Sequence, residues 1–197
     1  MSRSVEFFFD VGSPSTYLAW TQLPKLCADA GATLIFRPML LGGVFQATGN
    51  ASPVSVPAKG AYTRMDFQRF ARRYGVTLVQ NPYFPVNTLV LMRALTGAQL
   101  HTPERFHELL EVIFRGMWLA EQNFNEPAVL GAWLANNGFD PQALLELASR
   151  QDVKDALRQT TEEAVARGVF GAPSMFVGDE LFFGQDRLDF VREALAG

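Results

Sequence analysis

Two patterns of apolar and polar positions divide the chain. Near its ends the apolar residues come in short runs. Val5 to Phe9 is one, rich in phenylalanine, and Thr33 to Phe36, just beyond Gly31, is another. Towards the C-terminus, Ser174 to Val177 and Leu181 to Phe183 flank Gly178-Asp179-Glu180. Short apolar runs bounded by turn residues predict strands, and the last two read as a hairpin.

Between the ends the period lengthens. Phe106, Leu109, Leu110, Ile113, Phe114, Met117 and Trp118 follow the i, i+3, i+4 series and predict a helix over residues 103–120. Thr102 suits its N-cap and Pro103 its first position. A stripe of Phe67, Phe70, Ala71 and Tyr74 stops at Gly75, and one of Val129, Leu130, Trp133 and Leu134 stops at Gly138. Asp140-Pro141 opens a further helix that holds Leu144, Leu145 and Ala148, and residues 151–167 form another, closed by Gly168. The last helix begins near Asp186. The first runs from Pro14 to about Ala30, and Pro24 predicts a kink within it.

The order is therefore β-α-β, then helices, then β-β-α. Two strands alone are marginal, so the strands of the two ends are expected to meet in one four-stranded mixed sheet. The fold class is α/β: a thioredoxin-like fold with a large helical insertion. Residues 1–45 with 169–197 make the thioredoxin-like domain, and residues 46–168 the inserted helical domain.

Composition narrows the function. With 197 residues, 48% of them apolar, the chain can bury a full core. A formal charge of -3 with scattered Lys and Arg argues against nucleic acid as a partner. No window approaches a membrane span, and the N-terminal apolar stretch is too short for a signal peptide. The single cysteine, Cys27, excludes an internal disulfide, and a cytoplasmic protein is expected.

Candidate chemistry gathers at two places. In thioredoxin-like proteins a Cys-x-x-Cys motif opens the first helix. Here the letters are Ser13-Pro14-Ser15-Thr16, so dithiol exchange is excluded. The helix N-terminus still offers unpaired N–H groups and partial positive charge, a setting that favours a thiolate. Either Ser13 merely caps its helix, or its hydroxyl donates to a thiolate that arrives with a ligand. A Ser-His-Asp hydrolase is a poor fit, since no G-x-S-x-G occurs. The two histidines, His101 and His107, are six apart and read as surface residues; no metal is expected. Cys27 reads as a small core residue.

The second place is GVFGAPSMFVGDELFFGQDRLDF, residues 168–190. Pro173 directly precedes a strand. Ala172-Pro173 is either an ordinary turn or the cis-proline that faces the first helix in this fold, leaving the Ala172 backbone to pair with an extended peptide. Gln185, Asp186 and Arg187 open the last helix, whose N–H groups suit a carboxylate. Asp186 either compensates the helix dipole or pairs with an ammonium. A peptide with a central thiol, an extended backbone and an amino acid end matches glutathione.

Three stretches carry a family resemblance: FDVGSPSTYLAW at the start, residues 48–75 in the insertion, and RGVFGAPSMFVGDELFFGQDRLDFV at the end. The chain resembles the 2-hydroxychromene-2-carboxylate isomerases, kin of the kappa-class glutathione transferases in the DsbA-like group. The resemblance implies a glutathione-dependent cis-trans isomerase acting on an aromatic ring-cleavage product in aromatic catabolism. The alternatives are a kappa-like transferase or peroxidase, or a non-catalytic glutathione-binding module. It implies that Ser13 contacts the glutathione sulfur, and that Asn50, Lys59, Ala172, Pro173, Gln185, Asp186 and Arg187 hold the rest of the cofactor. It places Phe84, Asn87 and Trp118 nearer a small aromatic substrate, with Trp118 equally readable as core. It also implies a homodimer. The naphthalene-degrading branch carries a lysine shortly before the Gly-Asn pair, where Phe45 and Gln46 stand here.

Overall fold

The computed structural model describes residues 3–197. The chain opens with β1 (Ser4–Phe9), α1 (Pro14–Asp29) and β2 (Thr33–Pro38). It then runs through α2 (Leu41–Thr48), α3 (Pro57–Tyr74), α4 (Leu89–His101), α5 (Phe106–Trp118), α6 (Pro127–Asn136), α7 (Pro141–Ser149) and α8 (Gln151–Ala166). It closes with β3 (Ser174–Val177), β4 (Glu180–Phe183) and α9 (Leu188–Ala196). The strands form one sheet in the order β2-β1-β3-β4. β1 pairs parallel with β2 and antiparallel with β3, which pairs antiparallel with β4. This is the thioredoxin-like sheet with helices inserted between its halves. α2 runs across residue 46, the expected domain boundary.

β1 shows why the sheet sits in the middle. Its side chains alternate between two cores. Val5, Phe7 and Phe9 join the large core with α1, α4 and α5, and Phe8 joins a smaller one with Met39, Val44, Ala164 and Phe176. Phe7, Phe8 and Phe9 are all fully buried, so both faces of the sheet are covered. Glu6, on the Phe8 face, is held by Arg37 and Arg167 at 2.9 Å each. Arg167 also lies 3.8 Å from the centre of the Phe176 ring, which shields the pair.

Several local expectations need correction. Residues 103–120 are not one helix: Pro103–Arg105 make a single 3-10 turn before α5. Thr102 makes no side-chain cap there, because its N–H still donates to Ala98 at 2.9 Å and so ends α4. Leu145 is 50% exposed, since Leu144 and Ala148 define the inward stripe of α7 and Leu145 lies a third of a turn away. α9 begins at Leu188, after a 3-10 turn over Gln185–Arg187. The two histidines, by contrast, are exposed as expected: His101 pairs with Asp152 at 2.9 Å, and His107 lies against Phe36.

The insertion packs tightly where glycine permits it. A Cβ added to Gly97 in α4 would stand 2.6 Å from Leu147 Cγ of α7. Gly97→Ala is therefore expected to lower stability by about 1–3 kcal/mol through overpacking, although alanine favours helix by about 1 kcal/mol. At Gly131 in α6 the nearest atom is Pro141 Cβ at 3.8 Å, so Gly131→Ala is expected to gain about 0.5–1 kcal/mol. Denaturant midpoints check both signs. A Gly97→Ala protein as stable as wild type would contradict this packing.

Candidate active site

The site begins where β1 ends. Asp10 follows Phe9 directly and is 1% exposed. One carboxylate oxygen accepts from Gly12 N at 2.9 Å, and the other from Leu41 N at 2.8 Å and Thr88 Oγ1 at 3.0 Å. The first residue of α2 and the residue before α4 are thus strapped to the β1–α1 turn. Gly12 cannot carry a side chain there: a Cβ would stand 2.8 Å from Thr88 Cγ2. Burial pushes the Asp10 pKa above the usual carboxylate range, and the three hydrogen bonds pull it back only in part.

The turn delivers Ser13 to the mouth of α1. Its backbone is extended, and its Oγ accepts from Thr16 N at 3.2 Å, so the capping role is real. The same hydroxyl donates to the Ala172 carbonyl at 3.0 Å. Ala172-Pro173 is cis and faces this helix end. The Ala172 carbonyl, which the sequence reading left for an extended peptide, thus already has one donor. Ser13 already holds it, and a ligand must share or replace that bond. Thr16, which stands where the second cysteine of a dithiol motif would be, has a fully buried Oγ1 with no partner among the described residues. Cys27 is 2% exposed, and burial pushes its thiol up to about 11. The chain itself brings no reactive thiol.

Gln185 is 5% exposed and locked in place. Its N–H donates to Ser15 Oγ at 3.3 Å, its Oε1 accepts from that hydroxyl, and its carbonyl accepts from the Tyr74 hydroxyl. Burial pushes the Tyr74 phenol up to about 12, so it stays a donor. Gln185 thus ties α1 and α3 to the start of α9. Asp186 and Arg187 next to it are exposed and pair with each other at 2.5 Å. Gly184, at φ +99°, brings its backbone against this carboxylate: a Cβ would stand 2.5 Å from Asp186 Oδ1.

Of the remaining candidates, Asn50 reaches the same region. Its Nδ2 donates to the Phe170 carbonyl at 2.8 Å, two residues before Ala172. Lys59 is exposed in the first turn of α3. Phe84 is half-buried and precedes a cis-proline, and Asn87 is exposed, with its Oδ1 accepting from Leu89 N at 3.1 Å. Trp118 is fully buried, donates to the Val11 carbonyl at 2.9 Å, and lies 6.2 Å from Phe84. It is a core residue that backs Phe84 and has no face open to a substrate. Asp10, Thr16 and the Tyr74 hydroxyl escaped the sequence reading. A lone acid straight after Phe7-Phe8-Phe9 was the available signal for Asp10, whereas Tyr74 was hidden as one more member of an apolar stripe.

This fold and site define a thioredoxin-like protein in which hydroxyls replace the redox thiols. The DSBA-like thioredoxin domain matches residues 4–196. The chain is 31% identical over 196 residues to the 2-hydroxychromene-2-carboxylate isomerase of Pseudomonas putida, covering 97% of this chain and 93% of that one. A solved 2-hydroxychromene-2-carboxylate isomerase superposes with a TM-score of 0.80 at 30% identity, over 98% of this chain and 94% of the other. The human kappa 1 glutathione S-transferase is 28% identical, over 99% of this chain and 92% of its own length. The chain belongs to the 2-hydroxychromene-2-carboxylate isomerase family, within the DsbA-like proteins, and is an enzyme of the isomerase class.

Asp10 generates a pH prediction. Its pKa is higher in the fold than in the unfolded chain. Its contribution to stability is therefore full below the unfolded value and declines as pH rises through the folded one. The stability advantage of wild type over Asp10→Asn is expected to shrink between pH 4 and pH 7, measured by denaturant unfolding. An advantage that grows over this interval would contradict the assignment. Asp10→Ala leaves three donors unpaired, at about 1–3 kcal/mol each for those that stay dry, and is expected to be the more damaging variant at any pH.

Proposed function

We propose that this enzyme is a glutathione-dependent cis-trans isomerase of an aromatic ring-cleavage product of the 2-hydroxychromene-2-carboxylate kind. The observation that carries this is Ser13: a hydroxyl at a helix N-terminus, against a cis Ala172-Pro173, in a chain whose only thiol is buried and inert. The residues present fit glutathione. Thr16 Oγ1 is a buried polar atom still lacking a partner, and the neighbouring helix end favours a negative sulfur. Kappa transferase relatives support the same cofactor.

Glutathione, held by Ser13, Ala172 and the α9 turn, would supply a nucleophilic sulfur suited to reversible addition at a conjugated double bond, which permits cis-trans isomerisation without consuming the thiol. Ser13 rotates its proton from the Ala172 carbonyl to the sulfur and so holds it as thiolate. The first-turn N–H groups of α1 add partial positive charge to the same place. Ala172 offers its backbone to the cofactor as an extended strand would, with Pro173 fixing the turn. Asn50, next to the Phe170 carbonyl, and the exposed Lys59 would hold further polar groups of the cofactor, Lys59 being suited to a carboxylate. Gln185 holds the α9 turn in place, so that Asp186, with Arg187 beside it, would be available to the ammonium end. Phe84 presents its ring to the aromatic substrate, and Asn87 lies at the exposed rim. Trp118 supports Phe84 from behind. Reliance on reduced glutathione favours the cytoplasm. A homodimer and a place in aromatic catabolism complete the reading.

The kappa relatives favour one second reading, a transferase that consumes glutathione. One experiment separates the two. Isomerisation of 2-hydroxychromene-2-carboxylate is followed by absorbance, with and without glutathione, while free thiol is counted. Turnover that requires glutathione and leaves the thiol count constant is expected. Equal rates without glutathione would contradict the proposal, and loss of one thiol per turnover would establish the transferase instead.

A further inference from the structure

A cavity lies apart from Ser13. It occupies about 460 Å³ between α2, α4 and α8, within the range of small-molecule sites. None of the residues assigned above to glutathione or substrate lines it. Its floor is apolar, formed by Leu89, Leu157 and Val165. α2 contributes only small residues, Gly43 and Ala47, and so leaves the space open. A Cβ on Gly43 would stand 3.2 Å from Thr161 Cγ2, which shows how closely α2 and α8 approach beside it.

The charge around this cavity is one-sided. Arg93, Lys154 and Arg158 line it against a single carboxylate, Glu162. Arg158 is paired with Asp155 at 2.9 Å. Arg93 and Lys154 make no ion pair among the described residues. Both are only partly exposed, as lining residues with part of each side chain packed against the protein. Arg93 follows Leu89 by one turn of α4, and Lys154 stands three residues before Leu157 on α8, so each cation sits beside a floor residue. Two unpaired cations above an apolar floor complement a ligand with an anionic end and a flat or compact apolar body.

We propose that this cavity binds a small monocarboxylate carried on an apolar one- or two-ring frame, at a site separate from the Ser13 cleft. The apolar frame displaces water from Leu89, Leu157 and Val165, and the carboxylate accepts hydrogen bonds from Arg93 and Lys154. The proposal does not rest on glutathione use, and its test needs no turnover.

The probe is 2-naphthoate, titrated calorimetrically into the full chain, with neutral 2-naphthamide as the matched control. Naphthoate is expected to bind wild type and Ser13→Ala alike, with or without saturating glutathione. Arg93→Gln and Lys154→Gln should each weaken it by about tenfold, the loss of one charge-assisted bond. Ala47→Phe should abolish binding by filling the space; Ala47 is exposed, so the larger ring is not forced into the core. The proposal is overturned by no binding at millimolar naphthoate, by equal affinity for the amide, or by competition with glutathione, which would assign the ligand to the Ser13 cleft. A dimer in sedimentation that Ala47→Phe dissociates and naphthoate leaves intact would give the cavity to a second copy of the chain, and would overturn it equally.

Discussion

The hydrogen bond from the Ser13 hydroxyl to the Ala172 carbonyl joins residues 159 positions apart, and the site exists only where they meet. It depends on β1 being the central partner of both β2 and β3, one strand from each end of the chain. That pairing follows from the fully buried Phe7-Phe8-Phe9 run, which needs apolar cover on both faces. The sheet thereby sets the mouth of α1 opposite the turn that enters β3. A serine that would elsewhere only cap a helix is here shared between a cap and a carbonyl from the far end of the chain.

Asp10 and Gln185 hold that meeting point from its two sides. Asp10 gathers the β1–α1 turn, α2 and α4, and Gln185 gathers α1, α3 and the start of α9. Each is a buried polar group whose partners are on separate elements, so shifting one element leaves polar atoms unpaired at a cost comparable to a lost core contact. Such networks fix geometry more than they add stability. Exposed pairs such as Asp186 with Arg187 differ: solvent screens them, and they remain available to rearrange around a ligand. The rigid polar groups thus lie behind the site and the adaptable charges at its rim.

Much of this was legible in the chain. Strand runs at both ends and helical periods between them specify the sheet and the insertion, because burial on two faces and burial on one leave different periods. GSPST and FGAPSM mark the two halves of the site because a proline at N1 and a proline before a strand each have few structural uses. Helix boundaries near Thr102 and Asp186 were not legible: there the local backbone hydrogen bonds of α4 and of the Gly184 turn decide where a helix starts. Trp118 lay on an apolar stripe, and only the packed structure shows its N–H spent on Val11 and its ring behind Phe84. The role of Asp10 was hidden although it lies within FDVGSPSTYLAW, since its partners at Leu41 and Thr88 are distant in sequence.

The central claim is that Ser13 exchanges the Ala172 carbonyl for the sulfur of a bound thiol, and the thiolate band of bound glutathione reads it directly. A free thiol titrates near ~8.5. A hydrogen bond to a charged group contributes about 1.5–3 kcal/mol, equivalent to roughly one to two pKa units. The ultraviolet thiolate absorbance of bound glutathione is to be followed against pH in wild type and in Ser13→Ala. Bound thiol titrating at about 6–7.5 in wild type, and close to the free value in Ser13→Ala, is the predicted result. Two superimposable curves would contradict it and leave Ser13 as a helix cap alone.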